Sequence, residues 1–279
     1  MKGVAIIEIL KAVIIGIVEG ITEWLPVSST GHMILTQEFI QFNLSDEFSK
    51  MFLVVIQLAA ILAVVIVFFE KLNPFYGRKS VKKKRETFQL WGKVIIGCIP
   101  AAALGLPLND WFEKLEVPTV VAATLILYGI IFIVLEHFYK GKEFEVTDTT
   151  QLTYKKAFLI GCFQCLALIP GTSRSGATIL GAMLLGVSRS AAAEFSFFLS
   201  APVMFGASLL RVVKFILSGA TMSAIEIQVL IVGCLVAFIV SLAAIKFLMG
   251  YVRRHSFALF GYYRIIVGIL VVAYFAFMK

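Results

Sequence analysis

Residues 157–187 read AFLIGCFQCLALIPGTSRSGATILGAMLLGV. The two ends are apolar enough for a lipid bilayer, but each is about half the roughly 20 residues a spanning helix needs. Between them stands Pro170-Gly171-Thr172-Ser173-Arg174-Ser175-Gly176-Ala177-Thr178, rich in hydroxyls and helix breakers, with one arginine. Broken backbone at membrane depth is tolerated only where protein or a water-filled cavity covers it. The stretch therefore predicts a re-entrant helical hairpin. Residues 4–40 follow the same plan, with the break at Pro26-Val27-Ser28-Ser29.

Around these hairpins the chain has the composition of a membrane protein. Of its 279 residues 60% are hydrophobic and 15% charged, with a mean hydropathy of +0.95. A soluble domain is nearer half apolar and about a quarter charged. Spanning helices are expected at Met51–Phe69, Gly92–Leu108, Val117–Leu135, Glu194–Leu210, Ile227–Phe247 and Phe257–Met278. The net charge of +8 is concentrated in Arg78 to Arg85, between apolar stretches. It reads as a cytoplasmic loop rather than a nucleic-acid surface. Lys2 and the apolar run to Val18 resemble a signal peptide without the small-residue cleavage site, so the segment is expected to stay in the mature chain. Cys162 and Cys165 form a C-x-x-C with no redox or zinc context. With Cys98 and Cys234 they read as small, buried helix residues.

The two hairpins also resemble each other. Gly16-Ile-Val-Glu19 precedes Pro26-Val-Ser-Ser29, and Gly161-Cys-Phe-Gln164 precedes Pro170-Gly-Thr-Ser173. Glu19 pairs with Gln164 and Ser29 with Ser173, and three expected spans follow each hairpin. The expected fold is an all-α integral membrane protein, a single domain over 1–279. Its halves, 1–145 and 146–279, form an inverted-topology repeat, each one re-entrant hairpin plus three transmembrane helices, with the functional site between them. Loop charges set the orientation. With 71–86 inside (Lys71, Arg78, Lys79, Lys82, Lys83, Lys84, Arg85), 136–156 follows (Lys140, Lys142, Lys155, Lys156), as do Arg189, Arg253 and Arg254. The loop 109–116, with Asp110, Glu113 and Glu116 against Lys114, falls outside, as the positive-inside rule requires.

Glu19 and Glu23 share one helical face. A charge at the centre of a membrane helix costs about 2.5–3.5 kcal/mol on insertion scales, so the pair needs partners or a polar cavity. Ser28, Ser29, Thr30 and His32 follow immediately, as nucleophile and phosphate-contact candidates. On the second hairpin, Gly171, Thr172, Ser173, Arg174, Ser175 and Thr178 make a phosphate cradle. Glycines permit close approach, a helix N-terminus offers free N–H groups, and arginine pairs bidentately with phosphate oxygens. Two carboxylates and one arginine sum to a negative charge facing an anion. Either one glutamate is protonated or a divalent cation, Mg²⁺ or Ca²⁺, bridges Glu19 and Glu23 to the phosphate.

Taken together, Glu19-Gly-Ile-Thr-Glu23, Pro26-Val-Ser-Ser-Thr-Gly-His32 and Pro170-Gly-Thr-Ser-Arg-Ser-Gly-Ala-Thr178 resemble the bacterial undecaprenyl-diphosphate phosphatases of the bacitracin-resistance type. The resemblance runs through essentially the whole chain. It implies hydrolysis of undecaprenyl diphosphate to undecaprenyl phosphate at the outer side of the cytoplasmic (inner) membrane. That reaction recycles a carrier lipid for cell-wall synthesis and withholds the target of bacitracin. It also implies divalent-cation dependence. By position, Ser29 is the nucleophile, Glu23 and His32 its acid–base partners, Glu19 a metal or acid–base carboxylate, and Arg174 the stabiliser of phosphoryl charge; serine and histidine both stand as attacking groups. The implied partners are a polyprenyl diphosphate lipid and the bilayer, without nucleic acid, and the oligomeric state, a homodimer included, stays open.

Two other readings compete. A secondary transporter or lipid flippase shares the repeat and the ionisable residues at the midplane, and would tolerate loss of Ser29. A type-2 phosphatidic-acid phosphatase needs a second histidine after its Ser-Arg. His137 and His255, expected in loops, have the wrong spacing for it.

Overall fold

The structure, a computed structural model, describes residues 2–277, and their side chains except at 2–4, 109, 110 and 113. It is built of helices in the order α1 (Lys2–Thr22), α2 (Ser29–Phe39), α3 (Asp46–Val67), α4 (Phe69–Leu72), α5 (Val81–Glu113), α6 (Pro118–Phe138), α7 (Tyr154–Gln164), α8 (Arg174–Leu184), α9 (Arg189–Leu217), α10 (Ala224–Tyr251) and α11 (Ala258–Phe277). Six of them, α3, α5, α6, α9, α10 and α11, are long and apolar enough to cross a membrane. Less than half of each apolar window is buried inside the protein. The outward faces carry rows such as Ile231, Leu235 and Ile239, which suit lipid.

Most expected spans lengthen at their ends. The basic run Lys82–Arg85 is not loop but the opening of α5, capped by Ser80, whose side chain accepts from the Lys83 N–H. At the other end α5 continues to Glu113, so 109–113 is helix rather than loop. The side chains of Asp110 and Glu113 lie outside the described residues, as does the expected end of the last span, Met278. His137 falls in the last turn of α6 rather than in a loop. Cys162 is exposed on α7, against the expectation of burial. The first hairpin is also lopsided. Its leading arm α1 has 21 residues against 11 in each of α2, α7 and α8. The polar residues that shorten its apolar run are accommodated in pairs: Lys11 reaches Glu8 at 2.7 Å and the Gln41 carbonyl at 2.6 Å.

The helices interlock across the two halves. The first arm of each hairpin packs on the middle spanning helix of the other half, α1 on α10 and α7 on α5. Helix α3 packs on α9, and α6 on α11. Small residues allow the close approaches. A Cβ on Gly129 would lie 2.7 Å from the Gly261 carbonyl, and one on Gly261 would lie 2.7 Å from the Gly129 carbonyl. This reciprocal contact between α6 and α11 is what a two-fold axis at that crossing would produce, and it is compatible with an internal repeat.

Candidate functional site

Both breaks end in the same uncommon turn. Ser28 and Ser173 are the non-glycine residues with positive φ among the described residues, at 75° and 72°. Ser28 caps α2 by accepting from the Gly31 N–H at 3.2 Å, and Ser173 caps α8 by accepting from the Gly176 N–H at 3.1 Å. Such a conformation costs about 1–3 kcal/mol and persists where its surroundings hold it. The cap geometry sets Ser28, rather than Ser29, opposite Ser173. The nine-residue step from Glu19 to Ser28 then recurs from Gln164 to Ser173. The first loop is one residue shorter after its proline, which is why matching the prolines misaligns the serines.

The breaks meet inside the protein. Ser175 Oγ donates to the Leu25 carbonyl at 3.2 Å, joining one hairpin to the other. Arg264 on α11, completely buried, fastens both: its guanidinium donates to the Pro26 carbonyl at 3.1 Å, the Gly171 carbonyl at 2.9 Å and the Thr172 carbonyl at 3.0 Å. It also lies 5.6 Å from the Tyr128 ring centroid. Thr124 Oγ1 on α6 donates to the Pro170 carbonyl at 2.8 Å. Gly171 (φ 84°) admits no side chain, since a Cβ would come within 2.1 Å of Thr124 Oγ1. Carbonyls released by the broken helices are thus paired from α6 and α11, as buried backbone requires.

Above this support lies a cavity of about 610 Å³. Glu23, Ser29 and Thr30 of the first hairpin border it, with Gly171, Ser173 and Arg174 of the second. The N-termini of α2 and α8 therefore both face it, and each end carries partial positive charge and free N–H groups suited to an anion. Three side chains form its reactive group. Ser29 Oγ donates to Glu23 Oε2 at 2.7 Å, and Arg174 Nη2 donates to Glu23 Oε1 at 2.6 Å. Arg174 Nη1 also reaches the Ser196 carbonyl at 3.2 Å. The ion pair is largely buried, its side chains 13% and 8% exposed. It leaves Glu23 and Arg174 near neutral together, so attraction for an anion falls to the helix ends and to Arg174 once Glu23 turns away or takes a proton.

The other expected residues stand around this group rather than in it. Glu19 is completely buried beside Glu23, and among the described residues no donor reaches either of its oxygens. His32 makes its hydrogen bonds outside this group: its Nδ1 is 2.7 Å from the Ser28 carbonyl and its Nε2 is 2.7 Å from the Tyr263 hydroxyl, with the two rings stacked. Thr172 is buried, its side chain next to the Tyr128 hydroxyl. Thr178 bonds the Arg174 carbonyl at 2.9 Å and the Ser196 hydroxyl at 2.6 Å, which steadies the start of α8. The sequence reading passed over Arg264. The available signal was a lone arginine inside the span Phe257–Met278, since an ionisable group within a membrane helix needs a reason.

Carboxylate pairs of this kind suit an oxygen-liking divalent cation. The two orphaned oxygens of Glu19, next to Glu23, are the acceptors such an ion would use, and ligand positions beyond two carboxylates would fall to phosphate and water. Among the described residues no cluster of three or more His, Cys, Asp or Glu side chains offers a self-sufficient metal site.

Comparison with known proteins places this architecture. The family model "Bacitracin resistance protein BacA" matches residues 12–270. The protein named "Undecaprenyl-diphosphatase" of Desulfitobacterium hafniense is 55% identical over 274 residues, 98% of each chain. That of Acetivibrio thermocellus, with the same name, is 56% identical over 270 residues, 96% of this chain and 98% of its own. "Undecaprenyl-diphosphatase 1" of Clostridioides difficile is 56% identical over 276 residues, 99% of each. With a match over nearly its whole length and relatives this similar end to end, the chain belongs to the bacitracin resistance protein BacA family.

Proposed function

We propose that this multi-pass membrane protein hydrolyses undecaprenyl diphosphate to undecaprenyl phosphate and inorganic phosphate. The reaction recycles the carrier lipid for cell-wall synthesis and confers bacitracin resistance. The observation that carries the reading is the Ser29–Glu23–Arg174 group, set where two helix N-termini face one cavity. In a first step Glu23 accepts the Ser29 proton and Ser29 Oγ attacks the terminal phosphorus. The bridging P–O bond breaks, and undecaprenyl phosphate leaves with the bond's electron pair. Glu23 passes the Ser29 proton to the departing undecaprenyl phosphate. In a second step it takes a proton from the water that attacks the phosphoserine, and returns it to Ser29 Oγ as the serine–phosphorus bond breaks and inorganic phosphate leaves. Arg174 and the N–H groups at the starts of α2 and α8 stabilise charge on the transferred phosphoryl oxygens. His32, held by the Ser28 carbonyl and Tyr263, positions the first turn of α2 and does not face the phosphorus. A divalent cation, Mg²⁺ or Ca²⁺, held by Glu19 and Glu23, would neutralise carboxylate and phosphate charge and draw off electron density from phosphorus.

The charge pattern supports a site open to the outer face of the cytoplasmic membrane. The cavity is bordered by Ala101–Leu106 in the later half of α5 and Pro202–Leu210 in the later half of α9. Helix α5 begins at the basic segment Lys82–Arg85, while α9 carries Arg189 at its start and Arg211 and Lys214 near its end, so the pattern that supports this orientation is that of α5. On the positive-inside rule, a cavity bordered by the half of α5 away from its basic start supports an opening on the outer side. The same placement supports two halves of opposite orientation, meeting at their hairpins.

Phosphate release by the purified protein, given undecaprenyl diphosphate with and without chelator, tests the proposal. Release in the presence of Mg²⁺ or Ca²⁺ and its loss with chelator are expected. No release under any metal condition, with lipid transport intact in Ser29→Ala, would establish the transporter reading instead.

A further inference from the structure

Gln164 ends α7 with its side chain 3% exposed, and it borders the cavity alongside Ser173 and Arg174. Neither its Nε2 nor its Oε1 has a hydrogen-bond partner among the described residues. Buried amides are nearly always paired, and an unpaired one destabilises a fold that a methionine of the same length would not. The two heteroatoms of Gln164 lie just under the cavity wall, and rotation about the side-chain bonds breaks no hydrogen bond.

The repeat gives the position meaning. Gln164 stands nine residues before the positive-φ cap Ser173, as Glu19 stands nine before Ser28. The first hairpin thus presents an orphaned carboxylate and the second an orphaned neutral amide. The difference suits a diphosphate. A third carboxylate beside Glu19 and Glu23 would repel the ligand, whereas an amide NH₂ donates to a phosphoryl oxygen without adding charge. We propose that Gln164 is a substrate-contacting residue whose Nε2 donates to a phosphoryl oxygen of the bound lipid diphosphate. This rests on the hydrolase reading above.

The test compares purified full-length wild type with Gln164→Met and Gln164→Glu, measuring kcat and KM for undecaprenyl diphosphate and thermal unfolding without substrate. Methionine keeps the length and removes both polar atoms. It should unfold at or above the wild-type temperature and raise KM at least tenfold, with kcat within about threefold. Glutamate keeps the shape, adds an anion and serves should the methionine variant misfold; its KM should rise further. Wild-type KM in either folded variant overturns the proposal and leaves Gln164 an amide satisfied by water. A wild type inactive on lipid diphosphate would instead overturn the hydrolase reading on which the proposal stands.

Discussion

At the scale of single residues, two arginines divide the labour at one point in the fold. Arg174 faces the cavity and shares Glu23 with Ser29. Arg264 never reaches the cavity and holds three carbonyls from the two breaks. Lysine in place of Arg174 keeps the charge but loses the planar fork. Arg174→Lys should lower kcat about a hundred- to a thousandfold, the usual cost of removing one preorganised donor, while Lys156→Ala in the first turn of α7, paired with Glu145, stays near wild type. Equal rates in the two would exclude Arg174 as the phosphoryl clamp. Arg264→Met should act differently. It leaves three buried carbonyls without donors, at about 1–3 kcal/mol each, so lowered thermal stability should accompany the loss of activity. A folded Arg264→Met with wild-type stability and rate would show that the breaks need no such fastening. The carboxylates, hydroxyls and Arg174 were legible in the sequence because they cluster in short polar breaks. Arg264 showed only as a lone arginine inside a span, because a residue that serves two distant loops from a third helix carries no local pattern that says what it holds.

At the scale of elements, the breaks are two strained caps rather than two loops. Ser28 and Ser173 each hold a positive φ while accepting the hydrogen bond that starts a helix. Alanine there loses the cap, about 0.5–2 kcal/mol, and keeps the strain, whereas glycine relieves the strain and costs only a few tenths as a cap. Ser28→Gly should therefore be more stable than Ser28→Ala in thermal unfolding, and Ser173→Gly more stable than Ser173→Ala. The opposite order at both sites would mean that the positive φ of these residues carries no strain for a side chain to feel. The proline spacing pointed to Ser29 as the partner of Ser173, because sequence records loop length and not torsion angles. Helix ends were similarly hard to place. The basic opening of α5 belongs to the helix through the Ser80 cap, although hydropathy marks only its apolar part.

At the scale of the whole molecule, six helices long and apolar enough to cross a membrane support two hairpins whose breaks meet inside the protein. The six spans were readable from apolar length alone. The interlocking of α1 with α10 and α7 with α5 was not, since pairing between distant helices depends on small residues that look unremarkable in sequence. Gly129 and Gly261 lie carbonyl to backbone, so Gly129→Leu should separate α6 from α11 and cost several kcal/mol by overpacking. Detergent stability measured by thermal unfolding checks this, and an unchanged midpoint would contradict the close crossing. Orientation is testable independently. In a cysteine-free background, a single cysteine at position 82 should resist an impermeant thiol reagent added outside intact cells and react after permeabilisation. Labelling without permeabilisation would place the basic segment, and with it the cavity, on the wrong side.

The most direct test of the account is the fate of the transferred phosphoryl group. Undecaprenyl diphosphate labelled in its terminal phosphate, mixed with enzyme and quenched in denaturant within a turnover, should leave label on the peptide carrying Ser29. Ser29→Ala should carry no label and release no phosphate, and Glu23→Gln should slow labelling about a hundred- to ten-thousandfold, as loss of a general base does. Label on His32, or phosphate release by Ser29→Ala at the wild-type rate, would contradict the account.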